Sequence, residues 1–314
     1  MKTRIFKYID EYGALESLKD DAVLLNVPEE FNDPFDCLYS ITKEEEKIAY
    51  RLYVNYLLFE RFYKCLISPE SDNGLKRLIS LHKKNIINEH IEIQETNKYI
   101  QQDYLDQYYS IAKNLLHKKE KALRQGFHKT MRKVFEDMRK RVLISCFGSD
   151  YKSVLMWSHY SNKHQGACIE YEIDDNDFKP VQYNENFIPF RLYDCFEILF
   201  ASMHLKTDID YTKDEYQFLI EPLLMKSSDW SYEKEIRCVY SLKKKDHKIF
   251  EKTIIKDEKP KVLQLLSMPK PVAVYVGCKA NKDFIGKIKS VNENVPVFKL
   301  KIKENKYEFE KTKT

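Results

Sequence analysis

The sequence predicts an α+β fold, on three observations. Short β-prone runs stand at both ends of the chain, helix formers dominate residues 42–141 between them, and no strand–helix alternation of the doubly wound kind recurs. The expected architecture is an α+β core formed by residues 1–41 and 142–314, with residues 42–141 as a large helical insertion. A chain of 314 residues with 43% hydrophobic and 32% charged side chains can bury a sizeable core. Seven glycines and ten prolines exclude long flexible linkers. The net charge of +4, from 53 basic and 49 acidic residues, is too balanced to announce a nucleic-acid binder by its global field. Seven scattered cysteines with no C-x-x-C pair fit reduced thiols rather than a disulfide framework or a zinc site. With no apolar run of signal-peptide or membrane-spanning length, the expected location is cytoplasmic, with no membrane partner.

Residues 4–9 read as a first strand, 12–19 as a helix and Ala22–Leu25 as a second strand. Val27-Pro-Glu-Glu-Phe-Asn-Asp-Pro-Phe-Asp36 follows. Its two prolines and Asn-Asp pair make a fixed turn, expected to bury Phe31 and Phe35 and to present Asp33 and Asp36. Thr42 and Glu45 have capping-box spacing and open a helix running to about residue 67. Residues 75–100 and 102–141 read as further amphipathic helices. The last of them carries ten Lys or Arg between 118 and 141, a stripe that is either a solvated face or a contact for phosphates or an acidic partner.

Arg141–Phe147 returns to strand chemistry, Leu155–Tyr160 to a turn of helix, and Ala167–Ile173 alternates as a half-buried strand does. Val181–Tyr183 and Phe187–Phe190 read as short extended pieces, and 209–225 as a helix. A polar turn then leads from Ser227 into a strand that ends near Tyr240. Val272–Gly277 is strongly β-prone, Asn281–Ser290 reads as a helix, and Val295–Ile302 as a strand.

Two features carry candidate chemistry. Glu233-Lys-Glu235 at a strand entry puts two carboxylates on one face by period-two geometry, where one raises the pKa of the other and both address one substrate. An exposed strand would leave them simply solvated. Trp157, Tyr160, Trp230 and Tyr232 lie beside polar turns and can stack on a flat ring, or pack in the core. His159 and His164 can act as acid, base or phosphate contact. The acidic loops at Asp33/Asp36 and Asp174/Asp175/Asp177 do not match calcium-loop spacing, and no residue is assigned to a metal. No phosphate loop, hydrolase elbow or dinucleotide fingerprint is present.

Phe6-Lys-Tyr8, Phe31-Asn-Asp-Pro-Phe-Asp36, Cys146-Phe147, Met156-Trp-Ser-His-Tyr160, His164-Gln-Gly166 and Tyr232-Glu-Lys-Glu-Ile-Arg237 together resemble the bacterial domain of unknown function family 2971. That resemblance implies a cytoplasmic bacterial protein connected with phage defence and supplies no settled chemistry. The order of a first strand with an aromatic or basic residue, a serine-bearing strand and a strand opening on Glu-x-Glu is also similar to the ADP-ribosyltransferase fold of bacterial toxins. This second resemblance implies a small split, mixed or antiparallel β-sheet core and NAD+ as cofactor-substrate. It places Lys7 and Tyr8 at the first motif, Ser145, Cys146, Phe147 and Ser149 at the second, and Glu233 and Glu235 at the third as the catalytic pair. Trp157 or Tyr160 would lie against nicotinamide, and Arg237, Lys7 or His159 would offset pyrophosphate charge. Cys146 stands where threonine is usual, and no arginine follows the aromatic residue of the first strand.

Three expectations stay open. The first is an NAD-using ADP-ribosyltransferase-like toxin or antiphage effector that modifies a macromolecular acceptor, nucleic acid or protein, with a helper or antitoxin protein. The second is a metal-dependent nuclease built on Asp33, Asp36, Glu170, Glu172 and the basic helix. The third is a non-catalytic sensor of a nucleotide or a phage factor.

Overall fold

In chain order the elements are β1 (Thr3–Ile9), α1 (Glu11–Asp20), β2 (Ala22–Leu25), α2 (Glu120–Arg139), β3 (Val142–Phe147), α3 (Val154–Tyr160), β4 (Ala167–Ile173), β5 (Phe178–Pro180), β6 (Gln182–Asn184), β7 (Met225–Ser227), β8 (Ile236–Ser241), β9 (Ile249–Lys256), β10 (Lys259–Ser267), β11 (Ala273–Val276), α4 (Lys282–Val291), β12 (Val297–Ile302) and β13 (Phe309–Lys313). They come from a computed structural model that describes residues 2–47, 49–50, 53–54, 120–174, 177–187, 220–241, 246–256 and 258–314. The chain divides into two units, Met1–Ser40 with Asp137–Phe190 and Asp210–Thr314, and Ile41–Glu136 with Arg191–Ile209.

The first unit is built on a five-stranded sheet of order β1-β4-β11-β12-β13. β11 and β12 pair in parallel, with α4 as their crossover, and the other neighbours are antiparallel. Mixed sheets with separate helices make the class α+β. Ile5, Ile169, Tyr171, Val274 and Val276 point to one face and join Ala14, Leu18, Phe284 and Ile288 of α1 and α4. Phe6, Tyr8, Cys168, Ala273 and Tyr275 point to the other and join Met156 and Trp157 of α3. Each fully buried aliphatic side chain in these layers contributes about 1.5–3 kcal/mol. The expected half-buried strand at Ala167–Ile173 is therefore covered on both faces. Buried Glu170 is accommodated because Arg4 (2.7 Å) and the Tyr275 hydroxyl (2.8 Å) donate to it.

Local signals explain the helix starts. Asp10 accepts from the Gly13 amide, Ser153 from Met156 and Asn281 from Phe284, each satisfying a donor that the first turn leaves unpaired. In the second unit the capping box is complete, since Glu45 N–H donates to Thr42 Oγ1 at 3.1 Å and Thr42 N–H to Glu45 Oε2 at 3.4 Å. Phe127 of α2 packs edge-on to Tyr50 at 5.7 Å. Lys121, Lys129, Arg132 and Lys133 on that helix are exposed, while Lys118 and Lys119 lie outside the described residues. So does the stretch of helix expected at 75–100 and most of that at 209–225, whose described end is a 3-10 turn at Glu221–Leu224.

Two three-stranded sheets complete the first unit, β2-β10-β9 and β3-β8-β5, with β6 and β7 as a two-stranded pair. β3 touches β1 through reciprocal Phe6–Gly148 bonds of 3.0 and 2.7 Å, and β2 through Asn26–Ile144 bonds of 2.9 and 2.8 Å. The β9–β10 ribbon and β5 were not anticipated from sequence.

Candidate functional site

Beside the Phe6–Gly148 seam lies a cleft of 340 Å³, within the size range of small-molecule sites. Its walls come from β1 (Phe6, Lys7, Tyr8), the 26–36 segment (Asn26, Glu30, Phe31, Asn32, Asp36), the end of β3 (Ile144, Cys146, Phe147, Gly148) and α3 (Met156, His159, Tyr160). Lys226, Glu233 and Glu235 form its floor.

The floor is a buried charge network. Arg237, with no exposed surface, donates Nε and Nη2 to the two oxygens of Glu235 (2.8 and 3.0 Å), and Nη1 and Nη2 to the two oxygens of Asp36 (2.8 and 2.6 Å). Nη1 also reaches the Leu223 carbonyl at 2.7 Å. Lys226 donates to Glu233 (2.6 Å) and Glu235 (3.2 Å), stands 3.5 Å from Asp36, and lies 4.9 Å from the centre of the Trp230 ring. The Tyr160 hydroxyl donates to Glu233 Oε1 at 2.6 Å. Three carboxylates thus meet Lys226 and Arg237, and the buried Lys7 ammonium in the same cleft also feels Glu235. Burial alone would raise the Glu235 carboxyl, but Arg237 and Lys226 outweigh it and hold it at about 2. Burial raises Glu233 above the ordinary carboxylate range, against the opposing pull of Lys226 and Tyr160. Burial pushes the Tyr160 hydroxyl up, helped by Glu233 beside it.

The two glutamates converge by a route other than strand periodicity. Glu233 ends a 3-10 helix (Ser228–Glu233), Lys234 takes a left-handed conformation (φ 44°, ψ 51°), and β8 begins only at Ile236. That reversal, rather than the pleat, turns both carboxylates onto Lys226. The serine strand and the glutamate strand are direct antiparallel neighbours, with Cys146 opposite Arg237. The Cys146 thiol hydrogen-bonds Glu235, and burial pushes its pKa well up.

Of the sequence candidates, Lys7, Tyr8, Phe147, His159, Tyr160, Glu233 and Glu235 line one cleft. Lys7 donates to Ser145 Oγ (3.0 Å) and the Cys146 carbonyl (2.9 Å), and burial lowers its pKa. Ser145 is buried and so acts on the cleft only through Lys7, and Ser149 is exposed outside the cleft lining. Trp157 does not wall the cleft. It has no exposed surface, meets Tyr8 edge-on at 5.4 Å and donates its indole N–H to the Tyr151 carbonyl at 2.7 Å. Arg237 does not face a ligand either, because Asp36, Glu235 and Leu223 occupy its donors. The 28–36 turn inverts the expectation. Asp33 and Asp36 are 5% and 2% exposed, while Phe35 is 64% exposed, because Asp36 is the counter-ion of a buried guanidinium. Asn26, Asn32 and Lys226 went unrecognised as site residues, and Asp36 was weighed only for the nuclease reading. The Pro-flanked rigidity of 27–36 was a signal for Asn32 and Asp36, and nothing local marked Asn26 or Lys226.

The acids of the nuclease reading are engaged internally, Asp36 with Arg237, Glu170 with Arg4 and Glu172 with Lys2 at 2.9 Å. Among the described residues no group of three His, Cys, Asp or Glu is placed to hold a metal ion, and no helix is long and apolar enough to cross a membrane.

The family profile described as Protein of unknown function (DUF2971) matches residues 156–238, from α3 through both glutamates to Cys238. This supports the resemblance to that family over the part of the chain that supplies Tyr160, Glu233, Glu235 and Arg237. No curated protein and no solved structure matches the chain, so the similarity to the ADP-ribosyltransferase fold gains no support from these comparisons.

Proposed function

We propose that the cleft binds NAD+ and transfers its ADP-ribose to a macromolecular acceptor, or to water, as a toxin or antiphage effector does. The observation that carries this reading is the convergence of three distant segments, Lys7-Tyr8, Cys146-Phe147 and Glu233–Glu235, around a buried floor of paired carboxylates. In the reaction the bond between ribose C1′ and the nicotinamide nitrogen breaks, and its electron pair neutralises the pyridinium. Positive charge develops at C1′ and is captured by a lone pair of the acceptor. An anionic, water-poor floor favours that developing charge, which is the differential stabilisation catalysis requires. Glu235, held ionised by Arg237, supplies fixed negative charge. Glu233, with its raised pKa, is suited to accept the proton that the acceptor loses. Lys7 takes a pyrophosphate oxygen, and Tyr160 or Tyr8 borders the nicotinamide ring.

Nicotinamide release from NAD+ by the purified protein, alone and with cell lysate, measures this. Glu235→Gln and Glu233→Gln, near-isosteric changes, are expected to lower release by about 10²-fold or more with the circular dichroism spectrum unchanged. Wild-type release that both variants retain rules the reading out. Tight nucleotide binding without turnover would instead make the protein a sensor.

A further inference from the structure

At the mouth of the cleft stands a cluster of rings that the transfer step does not use. His159 is exposed, and Trp230 and Tyr232 are half-buried. Their centroids lie 6.4 Å (His159–Trp230), 6.2 Å (His159–Tyr232, 32° between planes) and 6.0 Å (Trp230–Tyr232) apart. Two structural elements bring them there. His159 precedes Tyr160 on α3, and Tyr232 precedes Glu233 at the end of the 3-10 helix, so these two rings are one residue from the Tyr160–Glu233 hydrogen bond, and Trp230 is one helical turn before it. Lys226 lies over the Trp230 ring on the cleft floor, and the three rings keep exposed surface for a further flat group.

The same elements carry exposed lysines. Lys152 lies just before α3, Lys163 just after it, and Lys234 just after the 3-10 helix. Lys234 has one weak partner, Asp150 at 3.9 Å, which an exposed pair gives little hold. A cluster of rings inclined at 32° to 62° to one another, with exposed lysines in the flanking sequence, suits single-stranded nucleic acid, whose bases stack on rings while its phosphates pair with lysine. A duplex, with its bases stacked on each other, does not present that face.

We infer that this platform binds a base of single-stranded nucleic acid and delivers it to the cleft as the ADP-ribose acceptor. The inference rests on the NAD+ reading for the word acceptor, but the binding does not, so the two fail separately.

The chain has two tryptophans, and Trp157 has no exposed surface, so quenching of indole emission reports Trp230. Titrating the full-length protein with 20-mer oligonucleotides of DNA and of RNA should quench emission for single strands and not for duplexes. Binding should weaken steeply with salt, and the DNA and RNA arms identify the source. Trp230→Ala should weaken single-strand affinity, read by fluorescence anisotropy of labelled oligonucleotide, by about tenfold or more. Lys234→Glu, at an exposed position, should lower affinity and flatten the salt dependence. No binding of either single strand, equal binding of duplex, or affinity unaltered in both variants overturns the inference. Transfer of label from NAD+ to protein with none to oligonucleotide overturns the acceptor role. Binding without any nicotinamide release upholds the platform and refutes the NAD+ reading.

Discussion

Glu235 illustrates how little of a residue's behaviour lies in its own chemistry. Its carboxyl is 4% exposed, an environment that favours the neutral acid, yet two guanidinium donors and the Lys226 ammonium keep it ionised to about pH 2. The folded value is depressed from the ordinary 4.5, so between these limits the unfolded chain binds the extra proton. The stabilisation is thus fully present above pH 4.5 and lost as pH falls through about 2. Glu235→Gln should be less stable than wild type at neutral pH, by on the order of 3 kcal/mol, with the gap closing in acid. Urea titrations of both proteins at several pH values measure it, and a gap independent of pH would contradict the ionised assignment. The same residue marks a limit of sequence reading. Glu-x-Glu was visible as a pair. Its geometry was not, because the left-handed Lys234 between the two has no propensity that announces it.

Among the elements, α3 and the turn after it hold the most positional information. Asn162, Lys163 and His164 take φ values of 44°, 53° and 71°, a run of left-handed residues of which only Asn is at ease there. The turn is held from within by Gly166 N–H to Ser161 carbonyl at 2.9 Å, and from outside by Lys279 N–H to His164 carbonyl at 3.0 Å. Gly277 is the contact that permits it, since a Cβ there would lie 2.2 Å from the His164 carbonyl oxygen. Gly277→Ala should therefore destabilise the protein by about 2 kcal/mol or more, read from its urea midpoint, with His159 and Tyr160 displaced. Caps and strands flanking this unit were legible because Ser, Asp and Asn before apolar runs, and alternating or β-branched stretches, act over a few residues. The turn itself was not, as its strain is balanced by residues more than a hundred positions away. The β9–β10 ribbon escaped for a different reason. Its strands are mostly exposed, with burial confined to Leu265 and Leu266 at the end of β10, and Glu258, with φ 62°, fills a turn position where glycine or asparagine would have signalled the hairpin.

On the scale of the whole molecule, burial is graded from the middle of the five-stranded sheet outward. β4 and β11 are covered on both faces, whereas β13 and the far half of β10 are largely exposed. Native-state hydrogen exchange should be slowest at Ile169, Tyr171 and Val274, and fastest in β13 and around Glu258. Uniform protection across these strands would mean that the sheets open only together. The α+β class was readable from composition and periodicity, which are sums over many residues. The site was readable only in part, since Arg237 and Asp36 meet across 201 residues of sequence and no local pattern encodes such a pairing.

Besides the Lys7 bonds to Ser145 and the Cys146 carbonyl, the seam between β1 and β3 rests on main-chain atoms, the amides and carbonyls of Phe6 and Gly148. Side-chain replacement leaves such bonds in place, so the opening they frame is heritable separately from what lines it. Descendants of this chain can exchange exposed lining residues such as Asn32 or His159 and acquire a new ligand preference while keeping the same aperture. The width of the cleft and its chemistry are thus free to evolve at different rates.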